Sequence, residues 1–135
     1  MFQSVFDLTS VFALLVLRVA VGGIFVAHGY QKVFKMGPAQ FGGWLKSLAI
    51  PFPTLSGYIV SYTELIGGIA LMLGIFTPLA ATLIAATMVV AIVKVNGSKG
   101  LVGGYEFELM LLAAAIAVAL AGPGAISIDR LIGLV

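Results

Sequence analysis

Four long apolar runs fill most of this 135-residue chain, at about residues 10–33, 55–76, 78–95 and 105–121. A helix rising about 1.5 Å per residue needs roughly 17–25 residues to cross the hydrocarbon of a bilayer, and each run reaches that length. None alternates apolar with polar residues, so membrane-spanning strands are not expected. Only 9% of the residues are charged, against about 25% in a soluble domain. The expected architecture is therefore all-α: an integral membrane four-helix bundle, one domain over residues 1–135.

The connections carry signals of their own. Thr77-Pro78 breaks the second run from the third, with Pro in a first-turn position, and Gly122-Pro123-Gly124 stops the fourth. In the first loop, Phe41, Trp44, Leu45 and Leu48 recur at helical spacing between Pro38 and Pro51. That pattern predicts a short amphipathic helix at the membrane surface, with Trp44 among the headgroups and Lys46 toward water. The third loop, NGSKGLVGG, reads as a flexible connection. Lys32, Lys35, Lys46, Lys94 and Lys99 flank loops one and three, whereas the opposite side has only Arg130 as a clear loop cation. The positive-inside rule places loops one and three in the cytoplasm and both termini outside. MFQSVFDLTS has no basic stretch, so no cleavable signal peptide is expected. Gly22, Gly23, Gly67, Gly68 and Gly74, with Ala113, Ala117 and Ala121, are expected to form the close helix seams.

Ionisable residues inside apolar runs are costly, roughly 2.5–3.5 kcal/mol each on insertion scales, and so usually face a bundle interior or a site. Alternating crossings bring His28, Gln31 and Lys32 of the first run to the loop-one end. Lys94 and Asn96 of the third reach the same end, as do Tyr105, Glu106 and Glu108 of the fourth. Glu64 lies roughly 12–14 Å in from that end. Tyr62 and Thr63 are close to it in sequence, and Gly67 and Gly68 leave space on its face. Glu64 and His28 are the expected proton-handling pair, with Arg18, Lys32, Tyr62, Lys94, Tyr105 and Glu106 as ligand-binding residues. Glu106 and Glu108 point to different faces. Glu106 is assigned to the cavity, and Glu108 to the favourable charge of a helix N-terminus. Two roles stay open for Arg18: a register-setting pair with Glu64, or an outward reach to Asp7 or Asp129. The chain has no Cys and one His, which argues against a protein-only metal site, and its net charge of +2 gives no footing for nucleic acid.

The ordered motifs have a familiar pattern. They are R-x9-H-G-x-x-K at Arg18 to Lys32, E-L-I-G-G at Glu64 to Gly68, and G-I-F-T-P at Gly74 to Pro78. G-Y-E at Gly104 to Glu106 and G-P-G-A-I-S-I-D at Gly122 to Asp129 follow. Together they resemble the DoxX family of small four-helix membrane proteins, over about Leu17 to Asp129. The resemblance implies a prokaryotic plasma-membrane protein, since relatives include a membrane subunit of a thiosulfate:quinone oxidoreductase and members of oxidative-stress assemblies. It implies a quinone as the leading non-covalent ligand and oxidoreductase subunits as partners, alongside the bilayer and further copies of the chain. Many members have a His near the end of the third helix, where this chain has Lys94. Three functions are compatible with the resemblance and the residues: a redox-associated subunit with a cavity for a quinone or other lipophile, a non-catalytic anchor or assembly subunit, and a small-molecule or ion carrier. Catalysis by this chain alone is not expected.

Overall fold

The computed structural model describes residues 1–135 and contains helices but no strands. Helix α1 spans Phe2–Tyr30 and continues through wider, π-type turns at Gln31–Met36. It starts eight residues before the expected Ser10, and the polar residues there are accommodated within the helix. Ser4 Oγ donates to Met1 O at 2.6 Å, Thr9 Oγ1 to Val5 O at 2.9 Å, and Ser10 Oγ to Asp7 O at 3.0 Å. The three hydroxyls thus find acceptors without leaving the helix.

Gly37, at φ +88°, turns the chain into α2 (Pro38–Ser47), with Pro38 in the first turn. The first-loop helix is thus present. Its apolar stripe of Phe41 and Leu45 is buried against α3 (Pro53–Leu73), while Trp44 stacks on Phe41 and stays half-exposed. Helix α3 closes on Gly74, where the N–H groups of Gly74 and Ile75 donate back to Leu71 O and Ala70 O, a Schellman ending. Helix α4 (Thr77–Ala91) continues through irregular turns to Lys99, and a kinked segment at Val102 and Gly103 leads into α5 (Glu106–Ala121). A single turn, α6 (Ile128–Leu131), follows.

Four helical stretches are long and apolar enough to cross a membrane: Phe2–Met36, Pro53–Leu73, Thr77–Lys99 and Leu101–Ala121. Helix α1 packs on α3, α3 on α4 and α4 on α5, and a looser α1–α5 seam closes the ring. Inside it lie Val21, Phe25, Leu71, Ile84, Leu111 and Val118. Outside, Ile66, Leu83, Met110 and Leu120 are exposed, an arrangement suited to lipid rather than water. The α1–α3 seam is tight because glycines face each other: a Cβ on Gly68 would stand 2.7 Å from Gly22 O. Gly42 and Gly57 do the same between α2 and α3. Gly23, by contrast, faces open space.

The end opposite loops one and three is clasped by the C-terminal segment. Asp129 accepts from the backbone N–H of Phe76 at 2.7 Å and of Thr77 at 2.9 Å, capping α4, while its own N–H donates to Gly74 O at 2.8 Å. This holds Phe76 in its left-handed conformation, φ +45°. Burial pushes the Asp129 carboxyl upward. The Thr77 and Phe76 donors and the nearby Arg18 charge outweigh it, so the group titrates below the usual carboxylate value.

Candidate functional site

A cavity of about 330 Å³ opens at the loop-one end of the bundle. Its walls are mostly apolar: Ile24 and Phe25 from α1, Ile59 and Val60 from α3, Met88 and Ala91 from α4, Phe107 and Leu111 from α5. Helix α2 lays Phe41, Trp44 and Leu45 along it. This is why the seating of α2 on α3 matters: the helix supplies one wall of the site. A shallower vestibule adjoins it, sharing His28, Lys32, Phe41 and Trp44 and adding Gln31, Lys35 and Met36.

Few polar groups break the apolar lining, and each is placed by its helix. Glu64, only 3% exposed, forms an ion pair with Lys32 across the α1–α3 seam. Gly29, three residues before Lys32, lies against the backbone of Leu65 beside Glu64 and brings the two helices close enough for the pairing. Lys32 also sits over the Phe41 ring, 5.2 Å from its centroid. His28 stands one turn before Lys32 at the α1–α5 seam, its ring 6.4 Å from that of Phe107. Its imidazole has no hydrogen-bond partner within the chain, and the residue lines both cavity and vestibule. On the α4–α5 seam, Asn96 Nδ2 donates to Glu108 Oε1 at 2.6 Å.

The expected site residues thus separate. His28, Lys32 and Glu64 come together at the cavity. Arg18 does not join them. It is 1% exposed and directed to the opposite end, where its guanidinium donates to Pro123 O and, at 2.7 Å, to Ile126 O, beside the Asp129 clasp. Glu64 takes Lys32 as its partner instead. Tyr62 lies two residues from Glu64, about 200° around the helix, and stacks outward on Tyr58. Lys94 is exposed, and Tyr105 is not part of the lining. Both acids of α5 lie in its first turn, as expected for Glu108, but the cavity place expected for Glu106 is taken by Glu108. Glu106 is exposed and accepts from Gly103 N at 3.1 Å, whereas Glu108 lines the cavity.

The reason is register. Glu108 shares a face with Leu111, Ala115 and Val118, all three buried, at spacings of three and four. That stripe is visible in the sequence and would have chosen Glu108. Asn96 had a weaker signal, one amide beside a glycine-rich loop. No group of three His, Cys, Asp or Glu stands close enough to hold a metal ion.

The sequence matches a family model described as DoxX over residues 13–97. The chain belongs to the DoxX family. It is 35% identical over 116 residues to "Putative oxidoreductase CatD" of Bacillus subtilis, covering 85% of this chain and 83% of that protein. It is 32% identical over 126 residues to "Inner membrane protein YphA" of Escherichia coli, covering 87% and 88%. It is 30% identical over 128 residues to "Uncharacterized membrane protein Rv3486" of Mycobacterium tuberculosis, covering 84% and 77%. No solved structure matches this DoxX protein. The family match ends at Asn96 and Gly97, so Glu108 lies outside the stretch it covers.

Proposed function

We propose that this DoxX protein is a redox-associated membrane subunit whose cavity holds a lipophilic molecule, with a quinone as the leading class. The observation that carries the proposal is the cavity. About 330 Å³ of mostly apolar space, interrupted by a few convergent polar groups, falls within the usual range for small-molecule sites. In this reading Lys32 and His28 donate to a carbonyl oxygen of the ligand, and Glu64 beside Lys32 holds or passes the accompanying proton. A cation next to a developing oxyanion is the arrangement such chemistry uses. Electrons to or from the quinone come from a partner protein in this reading, because the lining has no Cys and only one His with which to hold a haem or iron–sulfur cluster. The name of the Bacillus subtilis relative supports the link to oxidoreductases. Loops one and three, with their lysines, are assigned to the cytoplasm, which puts the cavity mouth on that side.

A second reading, an anchor or assembly subunit, is favoured by one observation. The Lys32–Glu64 pair already neutralises itself, as a register-setting device would. A test separates the two. The protein is purified in mild detergent, its lipophilic content is extracted, and mass spectrometry looks for a stoichiometric ligand, with Glu64→Ala as control. A quinone or similar molecule in the wild type, lost in the variant, supports the cavity reading. Bulk lipid alone in both makes the anchor the better account.

A further inference from the structure

The vestibule differs from the cavity in sign. No acid lines it, whereas Glu64 and Glu108 both line the cavity and are met there by Lys32 and Asn96. Lys32 belongs to both hollows and gives its charge to Glu64. Lys35 belongs to the vestibule alone, is exposed, and meets no carboxylate, since the chain's one ion pair is Lys32–Glu64. Gln31, four residues earlier on the same face, is exposed too, and its amide has no partner within the chain. A cation in the last turn of a helix is favourable by itself, which accounts for Lys35 but not for the amide beside it.

Depth decides what kind of anion suits these two donors. The helix from Arg18 at the clasped end to Met36 is about 27 Å long, close to the roughly 30 Å of hydrocarbon in a bilayer. Gln31 and Lys35 therefore stand where hydrocarbon gives way to head groups. Trp44, half-exposed and stacked on Phe41 in the vestibule wall, suits the same level. A small anion from water would meet Met36, Phe41 and Trp44 with nothing to offer them. A lipid brings acyl chains that cover these side chains, and basic pockets at the ends of spans are where acidic head groups bind.

We propose that the vestibule is a site for the anionic head group of a bilayer lipid, a phosphate diester being the simplest, with Lys35 and Gln31 donating to its two unesterified oxygens. The site goes beyond the reading of the cavity and does not depend on what the cavity holds.

Trp44 is the chain's only tryptophan and lines the vestibule, so its emission reports which lipid is seated there, because bromine in contact with indole quenches it. The protein is reconstituted in vesicles of dibrominated phosphatidylcholine, and unbrominated phosphatidylglycerol or unbrominated phosphatidylcholine is titrated in. Wild-type emission is expected to recover with about a fivefold preference for phosphatidylglycerol, the attraction of one lysine for an acidic head group. Lys35→Gln is expected to bring the two lipids within about twofold, and Lys35→Arg to keep the preference. Lys46→Gln removes the same charge from exposed α2 outside the vestibule and is expected to keep it as well. Equal recovery with both lipids in the wild type overturns the proposal. So do equal losses in Lys35→Gln and Lys46→Gln, because diffuse surface attraction then accounts for the preference. Exchanging chloride for inorganic phosphate at constant ionic strength is expected to change nothing, and loss of the preference there would assign the site to a free anion and overturn the lipid.

Discussion

Lys32 and Glu64 set the scale on which single residues matter here. Removing one member of a buried pair leaves an uncompensated charge, typically a loss of about 3–5 kcal/mol, whereas apolar replacement of both is often neutral. Asp129 differs in being fixed by backbone donors as well as by charge. Its carboxyl titrates below the usual value, so its contribution to stability is complete above about pH 4 and is lost as pH falls through the lowered folded value. Thermal unfolding in detergent across the acid range is expected to show wild-type stability falling below about pH 4, with Asp129→Asn already destabilised by about 1–2 kcal/mol and flatter over the same range. A parallel slope in both proteins would remove Asp129 from that role.

Between elements, contact is decided by what a glycine lacks. A Cβ on Gly68 would meet Val26 N as well as Gly22 O at 2.7 Å, and neither backbone can yield without parting α1 from α3. Gly68→Ala is therefore expected to cost at least about 1–3 kcal/mol and to loosen the Lys32–Glu64 pairing, whereas Gly23→Ala is expected to leave unfolding temperature unchanged or raise it. Equal effects of the two substitutions on detergent-unfolding midpoints would contradict the seam. Much of this was legible in the sequence. Run lengths predicted four crossings, the Phe41–Leu45 spacing predicted α2, and Gly22 and Gly68 were expected at a seam. What the sequence could not resolve was partnership. Arg18 has Glu64 and Asp129 as formal matches, but its actual acceptors are the Pro123 and Ile126 carbonyls, which no side-chain pattern encodes. Glu106 and Glu108 were separable only by extending the Leu111–Ala115–Val118 stripe backward by one turn.

For the whole molecule, the two ends of the ring do different work. One is clasped through Arg18 and Asp129, and the other opens into the cavity beside α2. A sealed end opposite an open one suits a binding site reached from one side better than a path through the bundle. The chain has no native cysteine, so sidedness is testable without background. Single cysteines at Ser98 and Leu134, both exposed, are expected to react with a membrane-impermeant maleimide from opposite faces of oriented vesicles. Reaction from the same face would refute four crossings.

The clasp also imposes an order on biosynthesis. Arg18 enters the membrane with the first span, yet the carbonyl that receives its guanidinium belongs to Pro123, 105 residues later. Until that stretch leaves the ribosome, a guanidinium sits in or near hydrocarbon without its acceptors, and the first turn of α4 waits for Asp129. The bundle thus gains this clasp only once synthesis has passed the fourth span.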